Sequence, residues 1–98
     1  MATYELAAAF YRDLARLSRA DRARFRRAVA QLVAALRSSP PEFPPGLRVK
    51  RVQGHREVWE LTFAPDGRAT FAYGEEVVAG EAHVVWRRVG DHSVLARP

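Results

Sequence analysis

Residues 38–46 read Ser-Ser-Pro-Pro-Glu-Phe-Pro-Pro-Gly, a run that neither a helix nor a central strand tolerates. Each proline fixes its own φ and removes a backbone donor, so this stretch is a stiff connector. It divides the chain into two halves with different periodicities. Before it, apolar residues recur at helical spacing; after it, they alternate.

In the first half Phe10, Leu14 and Leu17 define one apolar face over residues 7–17 and predict a helix. Residues 3–6 alternate around Tyr4 and Leu6 and suit a separate short strand. Ser18 reads as an N-cap, with Asp21 three positions on, as in a capping box. The following helix carries Phe25, Val29, Leu32 and Leu36 on one stripe, and Arg19, Arg22, Arg26 and Arg37 mostly off it. Two helices joined by so short a break predict an antiparallel helical hairpin.

In the second half, residues 47–52 alternate around Arg48 and Lys50 and predict a strand, followed by a turn at Gln53-Gly54-His55. Over 58–63, Trp59, Leu61 and Phe63 fall on one face and Glu60 and Thr62 on the other. Ala64-Pro65-Asp66-Gly67 is a tight turn. Its return strand, 68–73, places Ala69, Phe71 and Tyr73 opposite Arg68 and Thr70. A polar loop over 74–80 leads to a last strand, 82–89. The fold class expected is α+β: an N-terminal helical hairpin packed on one face of a three- or four-stranded, mainly antiparallel twisted sheet. The other face, bearing Glu60, Thr62, Arg68 and Thr70, is expected to be partly solvated and is where chemistry is sought.

At 98 residues there is room for one core and one domain spanning 1–98. The absence of cysteine excludes disulfides and thiolate metal sites and suits a reducing cytoplasm. No signal peptide is read at the start, and no apolar run reaches the roughly 20 residues of a membrane span. The formal net charge of +5 points to a polyanionic partner, nucleic acid or an acidic protein, ahead of a membrane surface. Of the sixteen cations fifteen are Arg; the only Lys is Lys50.

The chemistry available is narrow. His55, His83 and His92 lack the spacing of a metal motif, and no phosphate-binding glycine loop or nucleophile elbow is present. His55 and His83 read as surface or rim residues. What remains is a set of cations on the second half, Lys50, Arg68, Arg87 and Arg88, with His92 just beyond the last strand. RNA cleavage needs an acid and a base for two oxygens and cations for the charge building on phosphorus; His and Arg supply these. Surface cations of no catalytic significance fit the same composition.

The segments Leu47-Arg48-Val49-Lys50-Arg51-Val52-Gln53-Gly54, the hairpin from Trp59 to Tyr73, and Trp86-Arg87-Arg88-Val89-Gly90-Asp91-His92 resemble toxins of the RelE/ParE superfamily. The resemblance covers nearly the whole chain, loosely over the helices. It implies the toxin of a type II toxin-antitoxin system, a metal-independent, cofactor-free, cytoplasmic endoribonuclease that cuts mRNA on the ribosome. Its implied partners are mRNA, the ribosome and a cognate antitoxin, acidic and partly disordered. Arg88, Gly90 and His92 match the Arg-x-Gly-x-His of the YafQ-type branch, which implies catalytic roles for Arg88 and His92. Arg68 matches an arginine used on phosphate, Lys50 falls where related branches place a functional His or basic residue, and Asp66 matches an acidic residue of the hairpin turn. Arg87 and Arg48 join Asp66 as substrate-binding residues. The sequence also departs from the pattern: Glu60 and Thr62 stand where RelE-type toxins carry lysines, and Val94, Leu95 and Ala96 stand where a late aromatic is expected. A gyrase inhibitor of the ParE kind and a non-catalytic binding relative remain open alternatives.

Overall fold

Ser18 behaves as its position before a helix requires. Its hydroxyl accepts a hydrogen bond from the Asp21 amide at 3.0 Å, ending one helix and starting the next. The computed structural model describes residues 2–98. Its elements are β1 (Thr3–Leu6), α1 (Ala8–Arg16), α2 (Arg19–Ala35), β2 (Lys50–Arg51), β3 (Trp59–Thr62), β4 (Gly67–Gly74) and β5 (His83–Asp91). Two 3-10 turns, Pro45–Leu47 and His92–Ala96, complete it.

The strands form one sheet in the order β1-β5-β4-β3-β2. Four of them are antiparallel neighbours, and the fifth, β1, lies parallel to β5 with Thr3 opposite His83 and Leu6 opposite Trp86. The sheet therefore has one strand more than the three or four expected. The parallel pairing explains the chain path, because α1 is the start of the crossover that a parallel neighbour demands. The Ala7 amide still bonds the Trp86 carbonyl at 2.9 Å, so the ladder runs directly into α1.

The core lies between the helical hairpin and one sheet face. Phe10, Phe25, Phe71 and Trp86 meet there with ring centroids 5.2–6.0 Å apart, and Leu32, Leu61, Ala69 and Val89 close around them. Rings tilted or edge-on at such distances add to what their burial alone contributes. These residues sit at the helical and alternating positions the sequence marks.

Two expectations are corrected. The strand at 47–52 shrinks to Lys50–Arg51, because the 3-10 turn at Pro45–Leu47 ends on Arg48 in the left-handed region, which breaks the alternation. The outer face is solvated only in part, as expected, with Thr62 and Arg68 half-buried. The turn His92–Ala96 folds back over it: Val94 packs within 3.1 Å of where a Cβ on Gly90 would stand, and it is buried. Beneath lie Glu60, 5% exposed, and Thr70, 0% exposed. His83 is buried as well, held between the Thr3 hydroxyl at 2.7 Å and the Glu5 carboxylate at 2.9 Å, so it ties β1 to β5 instead of lying at the rim.

Candidate active site

The hairpin turn between β3 and β4 and the exit of β5 are neighbours because the register pairs Gly67 with Asp91 and Arg68 with Gly90. The turn is closed by the Gly67 amide on the Ala64 carbonyl, 3.0 Å, and by the Phe63 amide on the Gly67 carbonyl, 3.1 Å. A Cβ at Gly67 would lie 2.6 Å from the Phe63 ring, so only glycine lets the return strand start here. At the exit of β5, Asp91 caps the following turn by accepting from the Ser93 amide and hydroxyl. Those bonds hold the Asp91 carboxyl below its usual range. Its capping also aims His92, the first residue of the turn, back toward the hairpin.

There His92 Nδ1 meets the Asp66 carboxylate in a short hydrogen bond. Both side chains are exposed, 70% and 64%. The carboxylate bond and its charge push the His92 imidazole above its ordinary value, against a smaller opposing push from the nearby Arg68. With Nδ1–H donated to Asp66, Nε2 is the nitrogen left to face a substrate. Because the folded value is the higher one, the pair favours the folded state below the ordinary histidine range and ceases to do so as the pH rises through the folded value. We expect the His92 ring protons to titrate, by NMR, above the usual midpoint of about 6.5. In Asp66→Asn the midpoint should fall toward that value, and an unchanged midpoint would show that the contact is not made in solution.

Arg68 lies beside this pair. Its Nη1 donates to the carbonyls of Gly67, Pro65 and Ala64 at 3.0, 3.3 and 3.4 Å, which pins the guanidinium over the turn. Arg88 is placed differently. Its Nε and Nη2 grip Asp13 of α1 at 2.6 and 3.3 Å, and its Nη1 donates to the Arg97 carbonyl at 3.0 Å. The Asp13 carboxylate also accepts from the Val89 amide at 3.2 Å, on the stretch of β5 beyond the reach of β1. Asp13 therefore satisfies an edge donor and a cation together. It is the residue the sequence reading missed. Its signal was an acid three positions after Phe10, on the buried face of α1.

Arg87 occupies the bulge where β4 and β5 slip register after Thr70, and its side chain donates to the Pro98 carbonyl at 3.1 and 3.4 Å. Lys50, Glu60, Thr70 and Arg88 form one row across β2, β3, β4 and β5. Three strand spacings, roughly 14 Å, thus separate the Lys50 backbone from that of Arg88. Lys50 lines a different recess, with Glu60, Leu95 and Ala96. Arg48 lies beyond the hairpin turn, near α2. The fold brings together His92, Asp66 and Arg68, keeps Arg88 at the wall behind them, and sets Lys50 and Arg48 apart on either side.

Between α1, the start of α2, the hairpin turn and the exit of β5 is an open cleft of about 620 Å3, bordered by Arg16, Arg24, Asp66, Arg88, Asp91 and Ser93. Among the described residues no cluster of His, Asp and Glu is arranged to hold a metal ion, and no helix is long and apolar enough to cross a membrane. What the arrangement offers is a carboxylate-oriented, exposed imidazole with a half-buried guanidinium nearby, next to a cleft that Asp66 borders.

No protein-family model matches this sequence, and none of the curated proteins does. Solved structures do. The chain is similar to YafQ from E. coli strain BL21(DE3), at TM-score 0.70 and 13% identity, over 97% of this chain and 98% of that one. It is similar to E. coli YafQ in its complex with DinJ, at TM-score 0.68 and 15% identity over 97% and 98%. It is also similar to a YoeB/ParE toxin from Agrobacterium tumefaciens, at TM-score 0.63 and 13% identity over 92% and 98%. The chain has the fold of these toxins, from β1 to the final turn.

Proposed function

We propose that this chain, one domain with the fold of YafQ and of a YoeB/ParE toxin, is the toxin of a toxin-antitoxin pair and cleaves mRNA on the ribosome without a metal. The observation that carries the reading is the imidazole of His92 held by Asp66, whose carboxylate borders the cleft, with Arg68 close by. In the reaction the 2′-oxygen of the substrate forms a bond to phosphorus as the bond from phosphorus to the 5′-oxygen breaks. The products are a 2′,3′-cyclic phosphate and a 5′-hydroxyl. Protonated His92, raised by Asp66, gives its Nε2 proton to the departing oxygen and remains neutral with Nδ1–H still on Asp66. The 2′-hydroxyl proton leaves to solvent.

Arg68, with Nε and Nη2 not used on the turn, takes the charge developing on the phosphoryl oxygens. Arg88, its fork already on Asp13, adds positive potential from the wall and keeps β5 and α1 in register. Lys50, separated from β5 by two strands, Arg87, held on the Pro98 carbonyl, and Arg48, in a separate recess, act on neighbouring parts of the strand or of the ribosome. YafQ is found in a toxin-antitoxin complex with DinJ. The net charge of +5 supports an acidic antitoxin for this chain as well.

Induced expression separates this reading from its rival. Growth arrest with mRNA fragments mapping inside codons on translating ribosomes is the expected outcome. Arrest with intact mRNA and a DNA-damage response would assign a gyrase inhibitor, and unimpaired growth would assign a binding protein without toxicity.

A further inference from the structure

A second basic recess lies across the hairpin turn from His92, in a cleft of about 480 Å3 between α2, the 3-10 turn at Pro45–Leu47 and the β3–β4 turn. Four arginines border it: Arg24 and Arg27 from α2, Arg48, and Arg68 from β4. Arg24, Arg27, Ala28 and Gln31 follow helical spacing, so one face of α2 forms a wall. No acidic side chain borders the recess. Arg24 does pair with Asp21 at 2.9 Å, but Asp21 borders the other cleft, and Arg27 and Arg48 have no ion pair among the described residues. A concave wall of guanidiniums without a counter-charge concentrates positive potential where an anion could enter.

Arg48 supplies a second, independent sign. Its φ is +50°, in the left-handed region where glycine or asparagine is at ease and a long side chain is uncommon. Nothing in its backbone bonding requires arginine, since only its amide is engaged, with the Pro45 carbonyl at 3.1 Å. Backbone strain kept at a residue with a charged, unpartnered side chain points to use of that side chain. The two clefts are neighbours: Arg24, Ala64 and Pro65 border both.

We propose that this recess is a phosphate subsite for the strand being cut, with Arg27 and Arg48 holding a backbone phosphate beyond the scissile one. Arg68 stands between the two phosphates, over the turn. The inference rests on the RNA-cleaving reading above and adds where the strand runs: from His92 across Ala64-Pro65 toward α2. A substrate strand is favoured over an acidic protein segment because the recess shares Arg68 and the Ala64-Pro65 turn with the candidate active site. Its cations are all arginines, whose planar forks match phosphate oxygens.

The test is binding of an uncleavable 2′-O-methyl hexaribonucleotide to the full chain, followed by fluorescence anisotropy across a salt series. In Arg27→Gln/Arg48→Gln the affinity should fall about tenfold, and the slope of log K against log salt should flatten by about one. A 2′-O-methyl dinucleotide, long enough only for the cleaved bond, should bind wild type and variant alike. Arg48→Gly should weaken hexamer binding with no loss of melting temperature, because glycine accepts the backbone that arginine strains. On ribosomes the double variant should raise KM and leave kcat unchanged, as loss of uniform binding does.

An unchanged hexamer slope would overturn the subsite. An equal loss for the dinucleotide would also overturn it, since it would mark a general field and not a place. So would a polyglutamate peptide that loses affinity in the variant while the hexamer does not, which would assign the recess to a protein partner. If wild type binds the hexamer as predicted but cleaves nothing, the subsite stands and the cleavage reading falls.

Discussion

His92→Ala should reduce mRNA cleavage by two to four orders of magnitude while leaving the fold intact. A positioned general acid is worth about 10²–10⁴ in rate, and here no second group stands in for it: the other histidines, His55 and His83, lie on the β2–β3 loop and at the far end of β5. The side chain is 70% exposed and hydrogen-bonds Asp66, so its removal leaves no buried hole. Circular dichroism and melting should match wild type, and expression should no longer arrest growth. Asp66→Asn should act in the same direction with a smaller effect. It keeps a hydrogen-bond partner for Nδ1 but removes the charge that holds the imidazole protonated. The cleavage profile should then shift to lower pH. Full activity in His92→Ala would remove the catalytic assignment.

The second large effect is on stability. Asp13→Ala deletes a carboxylate that is 9% exposed and takes away the partner of the Val89 amide and of the Nε and Nη2 of Arg88, which keeps only its Nη1 bond to the Arg97 carbonyl. Removing one side of a buried ion pair costs about 3–5 kcal/mol. Arg88 keeps 28% exposure and can turn to water, so about 2–3 kcal/mol is the expected loss after that discount. For a chain of this size that lowers the melting temperature by roughly 10–20 °C. Asp13→Leu combined with Arg88→Met should regain part of the stability, because an apolar pair leaves no charge uncompensated. An Asp13→Ala protein that melts with wild type would show that the contact does not organise β5 and α1.

These two residues also mark how far sequence reading carries. His92 and Asp66 each stand out locally, one just past a strand and one in a hairpin turn, but the hydrogen bond between them joins positions 26 apart and is not read from either segment alone. Ser18, the proline connector and the Ala64–Gly67 turn were legible because caps and turns are local chemistry. The aromatic core followed from periodicity, which places Phe10, Phe25, Phe71 and Trp86 on inward faces whatever their partners.

What was not legible depends on pairings distant in sequence. The parallel partnership of β1 with β5 has no local signature, because residues 3–6 suit an edge strand of either direction. Lys50 and Arg88 were grouped as cations of the second half, yet the register puts two strands between them, and only strand order reveals that. The outer face reads as polar from alternation, and part of it, over Glu60 and Thr70, is covered by the turn that carries Val94. A Glu60 or Thr70 reads the same in sequence whether a later segment folds over it or not. Arg88 matched a catalytic pattern, while its attachment to Asp13 spans 75 positions. The acid on the apolar face of α1 hinted at a buried partner without saying which of fifteen arginines it would be.

The most direct test of the central claim is the chemistry of the cut ends. Purified wild-type protein is mixed with ribosomes stalled on a defined mRNA, initiation complexes are isolated, and the released fragments are analysed for their termini with and without a trace of chelator beyond the ribosome's own magnesium. Attack by the 2′-oxygen with His92 as the acid predicts a 2′,3′-cyclic phosphate or its opened phosphate on the upstream fragment and a 5′-hydroxyl on the downstream one, and no such fragments with His92→Ala. Uncut mRNA, a 3′-hydroxyl paired with a 5′-phosphate, or fragments undiminished in His92→Ala would contradict the account.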